Sequence, residues 1–170
     1  MSGPIVLYSA TADQTARIGE AIARVAQPGD LIGLIGELGA GKTQFVRGLA
    51  SGLGIDPRMV SSPTFVLMQE YEPDDRHGPL LVHIDAYRLY SEEDLASIGW
   101  ESHGQPWRRD AVVVVEWADL IQAALGEDWL EIHLMHEDGG RELTLWPHGS
   151  WQSRINLLRQ AVQPFEAYEA

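Results

Sequence analysis

The chain begins with a short apolar run and continues into an amphipathic stretch that has the period of a helix. Ile18, Ile22 and Val25 recur at the spacing that places side chains on one helical face. Thr11 lies where its hydroxyl can cap the first turn, and a Pro-Gly pair follows the stretch. This pattern predicts a helix over residues 11–26.

Further apolar runs predict strands rather than helices, because they are short and bounded by turn residues. Two of them are continuously apolar, which is typical of strands that are buried on both faces of a sheet. These two are residues 31–36 and 111–117. The complete set of predicted strands before the last third of the chain is 4–10, 31–36, 65–72, 80–87 and 111–117.

The pattern changes near the end of the chain. Residues 129–147 alternate between apolar and polar positions on both sides of the turn sequence EDGG, which predicts a β-hairpin. Helices are predicted at 42–53, 91–99 and 151–162. Because strands and helices interleave first and antiparallel strands follow, we expect an α/β fold, a layered sheet with an antiparallel extension. A length of 170 residues suits a single domain over residues 1–170.

Composition narrows the classes of function. Twelve basic and 25 acidic residues give a formal net charge of −13. This charge disfavours broad, independent binding of nucleic acid, although it does not exclude a local basic patch supplied by a partner. The chain has no cysteine, so disulfides and thiolate metal sites are excluded. No apolar run approaches the ~20 residues of a membrane span, and the first residues lack the features of a signal peptide. We therefore expect a cytoplasmic protein with no membrane association.

One glycine-rich segment carries the strongest chemical signal. Residues 36–43, GELGAGKT, fit the pattern G-x-x-x-x-G-K-[ST] at every fixed position, between a predicted strand and a predicted helix. Glycines let backbone N–H groups turn towards phosphate oxygens, and the helix directs its positive end to the same place. Lys42, the only lysine of the chain, is expected to reach the outer phosphates, and Thr43 is expected to bind Mg²⁺.

The residue counts also distinguish between nucleotides. Proteins that recognise guanine through an N-K-x-D motif need an asparagine and a lysine outside the phosphate loop. The only asparagine here is Asn156, and no second lysine exists. The sequence therefore favours ATP over GTP.

Two carboxylates are candidates for the metal site. Asp85 and Glu116 each follow an apolar strand, so each is expected at the carboxyl edge of the sheet, where open α/β sheets bind ligands. A phosphate-loop enzyme needs a carboxylate near its metal. A carboxylate at this place can also simply mark where a strand leaves the core. The sequence does not decide which of the two contacts the metal directly.

The loop SSPTF, residues 61–65, follows the helix after the phosphate loop, where a segment that senses the nucleotide is expected. Thr64 could contact the metal, the γ-phosphate or the attacking water. The alternative is an ordinary proline turn with a capping hydroxyl.

Other polar and aromatic residues have ordinary explanations. His83 is predicted to share a strand face with Asp85, and a satisfied buried histidine is more common there than a ligand. Trp117 is expected to be a core or rim aromatic. The pair Arg108 and Arg109 could clamp a phosphate, but a solvated pair is the more common arrangement.

Taken together, several segments resemble the motifs of one family, in the same order along the chain. That family is the small bacterial ATPase of tRNA threonylcarbamoyladenosine (t6A) biosynthesis, of the TsaE type. The resemblance covers residues 9–145, and its most specific part is SPT followed by H-x-D-x-Y-R-L and then E-W. The segments are GELGAGKT, SSPTF, HIDAYRL, EEDLASIG, VVEWAD and GGRELTL.

The resemblance implies a three-layer P-loop NTPase-like fold, with a mostly parallel sheet, and ATP and Mg²⁺ as ligands. It implies that Thr43, Asp85 and Glu116 lie at the metal, that Thr64 is a switch threonine and that Trp117 lies near the nucleotide. Thr15 and Arg141 match positions beside the nucleotide. The residues that match the phosphate-binding loop are Leu38, Gly39, Ala40, Gly41, Lys42 and Thr43.

The resemblance also implies how the protein works with others. Members of this family do not transfer the carbamoyl group themselves. They act with a heterodimer, the t6A transferase subunit and its paralogous partner, so contact with tRNA is indirect. The acidic composition agrees with this role, and ATP hydrolysis is expected to be weak without the partners.

Two alternatives remain at the level of the sequence. A small-metabolite kinase also has a phosphate loop, but it needs a lid with arginines, and only residues 105–110, QPWRRD, offer such a loop. A non-catalytic adaptor would bind ATP and partners without turnover that depends on the partners.

Overall fold

Within the described residues, seven strands form one mixed sheet. The computed structural model describes residues 3–63, 67–100 and 109–167. The strand order across the sheet is β1-β7-β6-β2-β5-β4-β3. The strands are β1 Ile5–Ser9, β2 Leu31–Ile35, β3 Met68–Tyr71, β4 Leu80–Asp85, β5 Ala111–Glu116, β6 Leu130–Glu137 and β7 Gly140–Pro147.

The four central strands, β6, β2, β5 and β4, run parallel to one another. Antiparallel pairings flank them: β7 pairs with β6 and β1 with β7 on one side, and β3 pairs with β4 on the other. Strands β2 and β5 are buried almost throughout, as their continuous apolar runs predicted. The predicted α/β fold with a parallel centre and an antiparallel hairpin extension is therefore confirmed.

Helices cover both faces of the sheet and give three layers. One face packs against α1, α2 and α6, and the other packs against the segments that contain α3 and α4. The helices are α1 Ala12–Ala23, α2 Lys42–Gly52, α3 Glu92–Ser97, α4 Gln122–Leu125, α5 Ser150–Ser153 and α6 Ile155–Val162. Within the three described ranges, none of these helices is long and apolar enough to cross a membrane.

Side-chain caps begin two of the helices: α1, as predicted from Thr11, and α3. The Thr11 hydroxyl accepts a hydrogen bond from the Gln14 N–H at 3.1 Å at the start of α1. The Ser91 hydroxyl accepts one from the Asp94 N–H at 3.1 Å at the start of α3. Gly99, which follows α3, has a φ of +81°, a backbone conformation that favours glycine.

The predicted continuous helix over residues 151–162 is wrong in one respect. It is divided at Arg154, whose N–H donates to the carbonyl of Trp151, three residues back, and tightens the last turn of α5. The Arg154 guanidinium forms two hydrogen bonds to the buried Asp30 carboxylate, at 2.7 and 2.9 Å, and a third to the Val25 carbonyl. These contacts hold Arg154 against the end of α1 and the start of β2.

Helices α1 and α2 pack unusually closely because each carries glycine at the contact. A Cβ added at Gly48 would overlap the backbone carbonyl of Ala16, and one added at Gly19 would overlap the carbonyl of Phe45. Close packing holds α2, and therefore the phosphate loop before it, in a fixed position relative to α1 and the sheet.

We expect Gly48→Ala to destabilise the protein by about 1–3 kcal/mol, because the backbones of α1 and α2 must separate. Helix propensity alone predicts the opposite sign, a gain of about 1 kcal/mol. Urea unfolding followed by circular dichroism measures the difference. Gly3→Ala is the matched control, since nothing lies within 4 Å of its added Cβ. A Gly48→Ala variant more stable than the wild type would contradict this packing.

Candidate functional site

The glycine-rich segment 36–43, predicted as a phosphate loop and called by that name below, connects β2 to α2. Gly39 and Gly41 have φ values of +79° and +102°, so the loop turns through conformations that side chains disfavour, and Gly41 is the residue that precedes α2. A Cβ at Gly36 would lie 2.6 Å from the carbonyl oxygen of Leu134 on β6. The glycines at these positions are therefore required by backbone geometry and by the close approach of β6.

Lys42 is the first residue of α2, and its side chain folds back over the loop. Its Nζ donates hydrogen bonds to the carbonyl oxygens of Gly36, at 2.6 Å, and Glu37, at 2.9 Å. The ammonium also lies 4.0 Å from the centre of the Trp117 ring. Burial lowers the pKa of Lys42, and the nearby carboxylates of Glu116 and Asp85 oppose that shift.

Asp85 and Glu116 end neighbouring parallel strands and lie opposite each other in the register of β4 and β5. Both are buried, with 4% and 3% of their surface exposed. The Thr43 hydroxyl donates a hydrogen bond to Glu116 Oε1 at 2.9 Å. One oxygen of Asp85, Oδ1, accepts from the Tyr87 N–H at 2.9 Å. The two carboxylates and the threonine of the phosphate loop thus meet at one edge of the sheet.

These residues suit a magnesium ion that is shared with a ligand. Mg²⁺ prefers oxygen donors and is usually held by one or two carboxylates together with phosphate oxygens and water. The hydroxyl of Thr43 and the carboxylates of Asp85 and Glu116 match that donor set. Among the described residues, no group of three or more His, Cys, Asp or Glu side chains could hold a metal ion by itself. A metal ion here would need further oxygen donors from a bound ligand or from water.

His83 lies on β4, two residues before Asp85, and it contacts Glu116 on the neighbouring strand β5. Its Nε2 is 3.0 Å from Glu116 Oε2, and the ring is fully buried. The sequence predicted a satisfied buried histidine. The structure places it in the core as expected, but within the described residues its Nδ1 has no hydrogen-bond partner. Its contact with a candidate metal ligand was not anticipated.

Trp117 has a φ of +59° and a ψ of +39°, a left-handed conformation that is rare for a large side chain. This backbone turns the ring towards Lys42, and Tyr87 packs against it with ring centres 5.0 Å apart. Sequence reasoning missed Tyr87 as part of the site, although it lies within the HIDAYRL motif that carried the resemblance.

Arg141 reaches the phosphate loop from β7. Its Nε donates to the Ala40 carbonyl at 2.9 Å, and its Nη2 donates to the Gly39 carbonyl at 3.1 Å. A small cleft of about 150 Å³ separates this arginine from Thr15, whose Oγ1 lies 2.8 Å from the Ser9 hydroxyl. The structure therefore places Thr15 and Arg141 beside the loop, next to Gly41.

The main cleft, of about 410 Å³, opens along the phosphate loop and brings most of the predicted residues together. Leu38 lies at its rim and is 87% exposed. Thr64 lies outside the described residues, as do Arg108 and most of the arginine-bearing loop. The lining residues are Leu38, Gly39, Gly41, Lys42, Thr43, Gln44, Ser62, Asp85, Tyr87, Glu116 and Trp117.

We expect Arg141→Met to loosen the ligand-free phosphate loop, because two loop carbonyls lose their charged donor. If the loop loses about 1.5 kcal/mol of stabilisation, the hydrogens of its backbone amides exchange roughly tenfold faster. Hydrogen–deuterium exchange of a peptide covering residues 36–43 measures this directly. Arg17→Met is the control, since Arg17 is exposed and its ion pair with Asp13 is long, at 3.7 Å. Equal exchange in both variants would show that Arg141 does not support the loop.

Comparisons with known proteins identify relatives of this chain. Residues 9–143 match the model of the family described as threonylcarbamoyl adenosine biosynthesis protein TsaE. A protein of Bacillus subtilis named tRNA threonylcarbamoyladenosine biosynthesis protein TsaE is 40% identical over 139 residues, covering 81% of this chain and 82% of the relative. A protein of the same name from Treponema pallidum is 41% identical over 141 residues, covering 81% and 96%.

A solved structure is also similar. The crystal structure of Bacillus subtilis YdiB matches with a TM-score of 0.73 and 33% sequence identity, over 94% of this chain and 97% of that one. The resemblance that the motifs indicated is thereby confirmed. The chain belongs to the TsaE family.

Proposed function

We propose that this chain is the ATP-binding and ATP-hydrolysing component of the machinery that forms t6A at position 37 of tRNA. Its family membership supports the role in t6A biosynthesis, since the relatives carry that function in their names. One observation supports the ATPase activity more than any other. The Thr43 hydroxyl donates to Glu116 within a cleft that also holds Lys42 and Asp85.

The phosphate loop supplies the binding energy for the phosphates. Its backbone N–H groups can donate hydrogen bonds to phosphate oxygens. The aligned peptide dipoles of the 11-residue helix α2 also place a partial positive charge at the start of the helix, beside the loop. Lys42 is held over the loop by two carbonyls and the Trp117 ring, so its charge is already close to where phosphates bind. The lysine exchanges those carbonyls for phosphate oxygens when ATP enters.

Mg²⁺ fits at Thr43, Asp85 and Glu116, and when bound it neutralises phosphate charge and orients the γ-phosphate. The protein's own groups hold these ligands in place, because both carboxylates are buried and Glu116 is hydrogen-bonded to Thr43. Thr64 is proposed to sense the γ-phosphate, and its loop to reorder after hydrolysis. A complete site for the attacking water forms only with the partners, so the isolated chain is slow.

The partners proposed are a heterodimer of the t6A transferase subunit and its paralogous partner, in the cytoplasm. Leu38 and Tyr87 line the cleft and are 87% and 50% exposed, so apolar surface surrounds the entrance where a partner could complete the site. The net charge of −13 argues against an independent tRNA surface on this chain. Contact with tRNA is therefore indirect.

We expect Lys42→Ala to weaken ATP binding and abolish turnover, because the phosphates lose their one flexible cation. Lys42→Arg is the matched variant: it keeps the charge, but the planar guanidinium cannot replace the compact ammonium, so we expect it to be impaired as well. Isothermal titration calorimetry with ATP and Mg²⁺ measures binding, and phosphate release measures turnover.

Unchanged turnover in Lys42→Ala would refute the assignment of the site. The product identifies the reaction class, because ATP hydrolysis releases phosphate into water, whereas a metabolite kinase leaves it on a small molecule. Phosphate recovered on an added metabolite in place of free phosphate would favour the kinase alternative.

A further inference from the structure

We propose that His83 is a positioning residue: it fixes the Glu116 carboxylate and, through it, the Thr43 hydroxyl, in the orientation that the Mg²⁺–ATP site requires. The inference rests on the proposed function, since it gives His83 a role towards the metal. It adds to that function a residue that does not line the cleft.

Three side chains from three elements form a continuous chain of hydrogen bonds. Thr43 at the start of α2 donates to Glu116 Oε1 at 2.9 Å, and His83 on β4 lies 3.0 Å from Glu116 Oε2. His83 is fully buried and Glu116 is 3% exposed. Little of the carboxylate is open to water, so these two contacts set its orientation.

The unpaired nitrogen of His83 identifies its tautomer. Nδ1 is buried without a hydrogen-bond partner among the described residues, so a proton there would be an unsatisfied donor. A ring with its proton on Nδ1 would also turn a lone pair from Nε2 towards the Glu116 carboxylate. A ring with its proton on Nε2 and none on Nδ1 avoids both costs, and it donates to Glu116.

This arrangement determines how Thr43 presents its oxygen. A hydroxyl has one proton and two lone pairs, and the proton of Thr43 is given to Glu116. Its lone pairs are then directed away from Glu116 and remain available to a metal ion. Removing the donor behind Glu116 would free the carboxylate to rotate, and the hydroxyl would lose its fixed orientation.

Two amide substitutions separate positioning from packing. The side-chain nitrogen of glutamine lies the same number of bonds from Cα as Nε2 of histidine, so His83→Gln can still donate to Glu116. The nitrogen of asparagine ends one bond earlier, at the level of Nδ1, so His83→Asn cannot reach it. Both variants place a neutral amide in the same buried space.

The test measures the Mg²⁺ dependence of ATP binding to the full-length chain by isothermal titration calorimetry. We expect His83→Asn to lower Mg²⁺ affinity in the presence of ATP by about 10–100-fold, the usual effect of removing a residue that supports a metal ligand. We expect His83→Gln to restore most of that affinity. His77→Asn, in the exposed turn between β3 and β4, is the control for loss of a histidine.

Wild-type Mg²⁺ affinity in His83→Asn would overturn the proposal, and so would an equal loss in both amide variants, which would indicate packing alone.

The tautomer of His83 provides a second test, which needs no stable variant. In ¹⁵N-histidine NMR of the wild type, His83 should show the proton on Nε2, and a proton on Nδ1 would overturn the proposal. A wild-type chain that binds ATP without any effect of Mg²⁺ would instead refute the metal site of the proposed function.

Discussion

The parallel pairing of β2, β5 and β4 is the constraint on which the site depends. In the register of these strands, Leu34 on β2 lies opposite Glu116, and Glu116 lies opposite Asp85. Strand β2 leads directly into the phosphate loop, so the loop and both carboxylates reach the same edge of the sheet. A slip of one residue along β4 or β5 would turn the carboxylate of that strand to the other face of the sheet. The pairing of these strands therefore also determines which side chains form the site.

Burial gives the charged groups of the site their properties. Lys42, Asp85 and Glu116 are 6%, 4% and 3% exposed, and buried charges are tolerated only when they are paired or hydrogen-bonded. Before a nucleotide binds, each has partners: loop carbonyls and the Trp117 ring for Lys42, the Tyr87 N–H for Asp85, and Thr43 and His83 for Glu116. The charged groups of the proposed site are thus held in place before any ligand binds.

Local patterns in the sequence were sufficient to predict the phosphate loop, the strands before Asp85 and Glu116, and the hairpin of β6 and β7. Each of these depends on neighbouring residues, such as glycines that permit unusual backbone angles or apolar runs that end in a carboxylate. Contacts between distant residues could not be predicted in this way. Arg141 reaches Gly39 and Ala40 across about 100 residues, and the break at Arg154 depends on a buried carboxylate, Asp30, far earlier in the chain.

The partners of His83 depend on the order of strands in the sheet, which the spacing of apolar residues does not determine. The sequence placed His83 on the same strand face as Asp85, and the pairing of β4 with β5 then brought it to Glu116. Thr64 stays a prediction, since it lies outside the residues that the structure describes.

The most direct measurement is the rate of phosphate release from ATP by the purified chain, alone and with both proposed partner proteins. The account predicts slow release by the chain alone and a clear rise only when the transferase subunit and its paralogous partner are present together. Release that the two partners leave unchanged would contradict the central claim that this P-loop site acts as a partner-dependent ATPase.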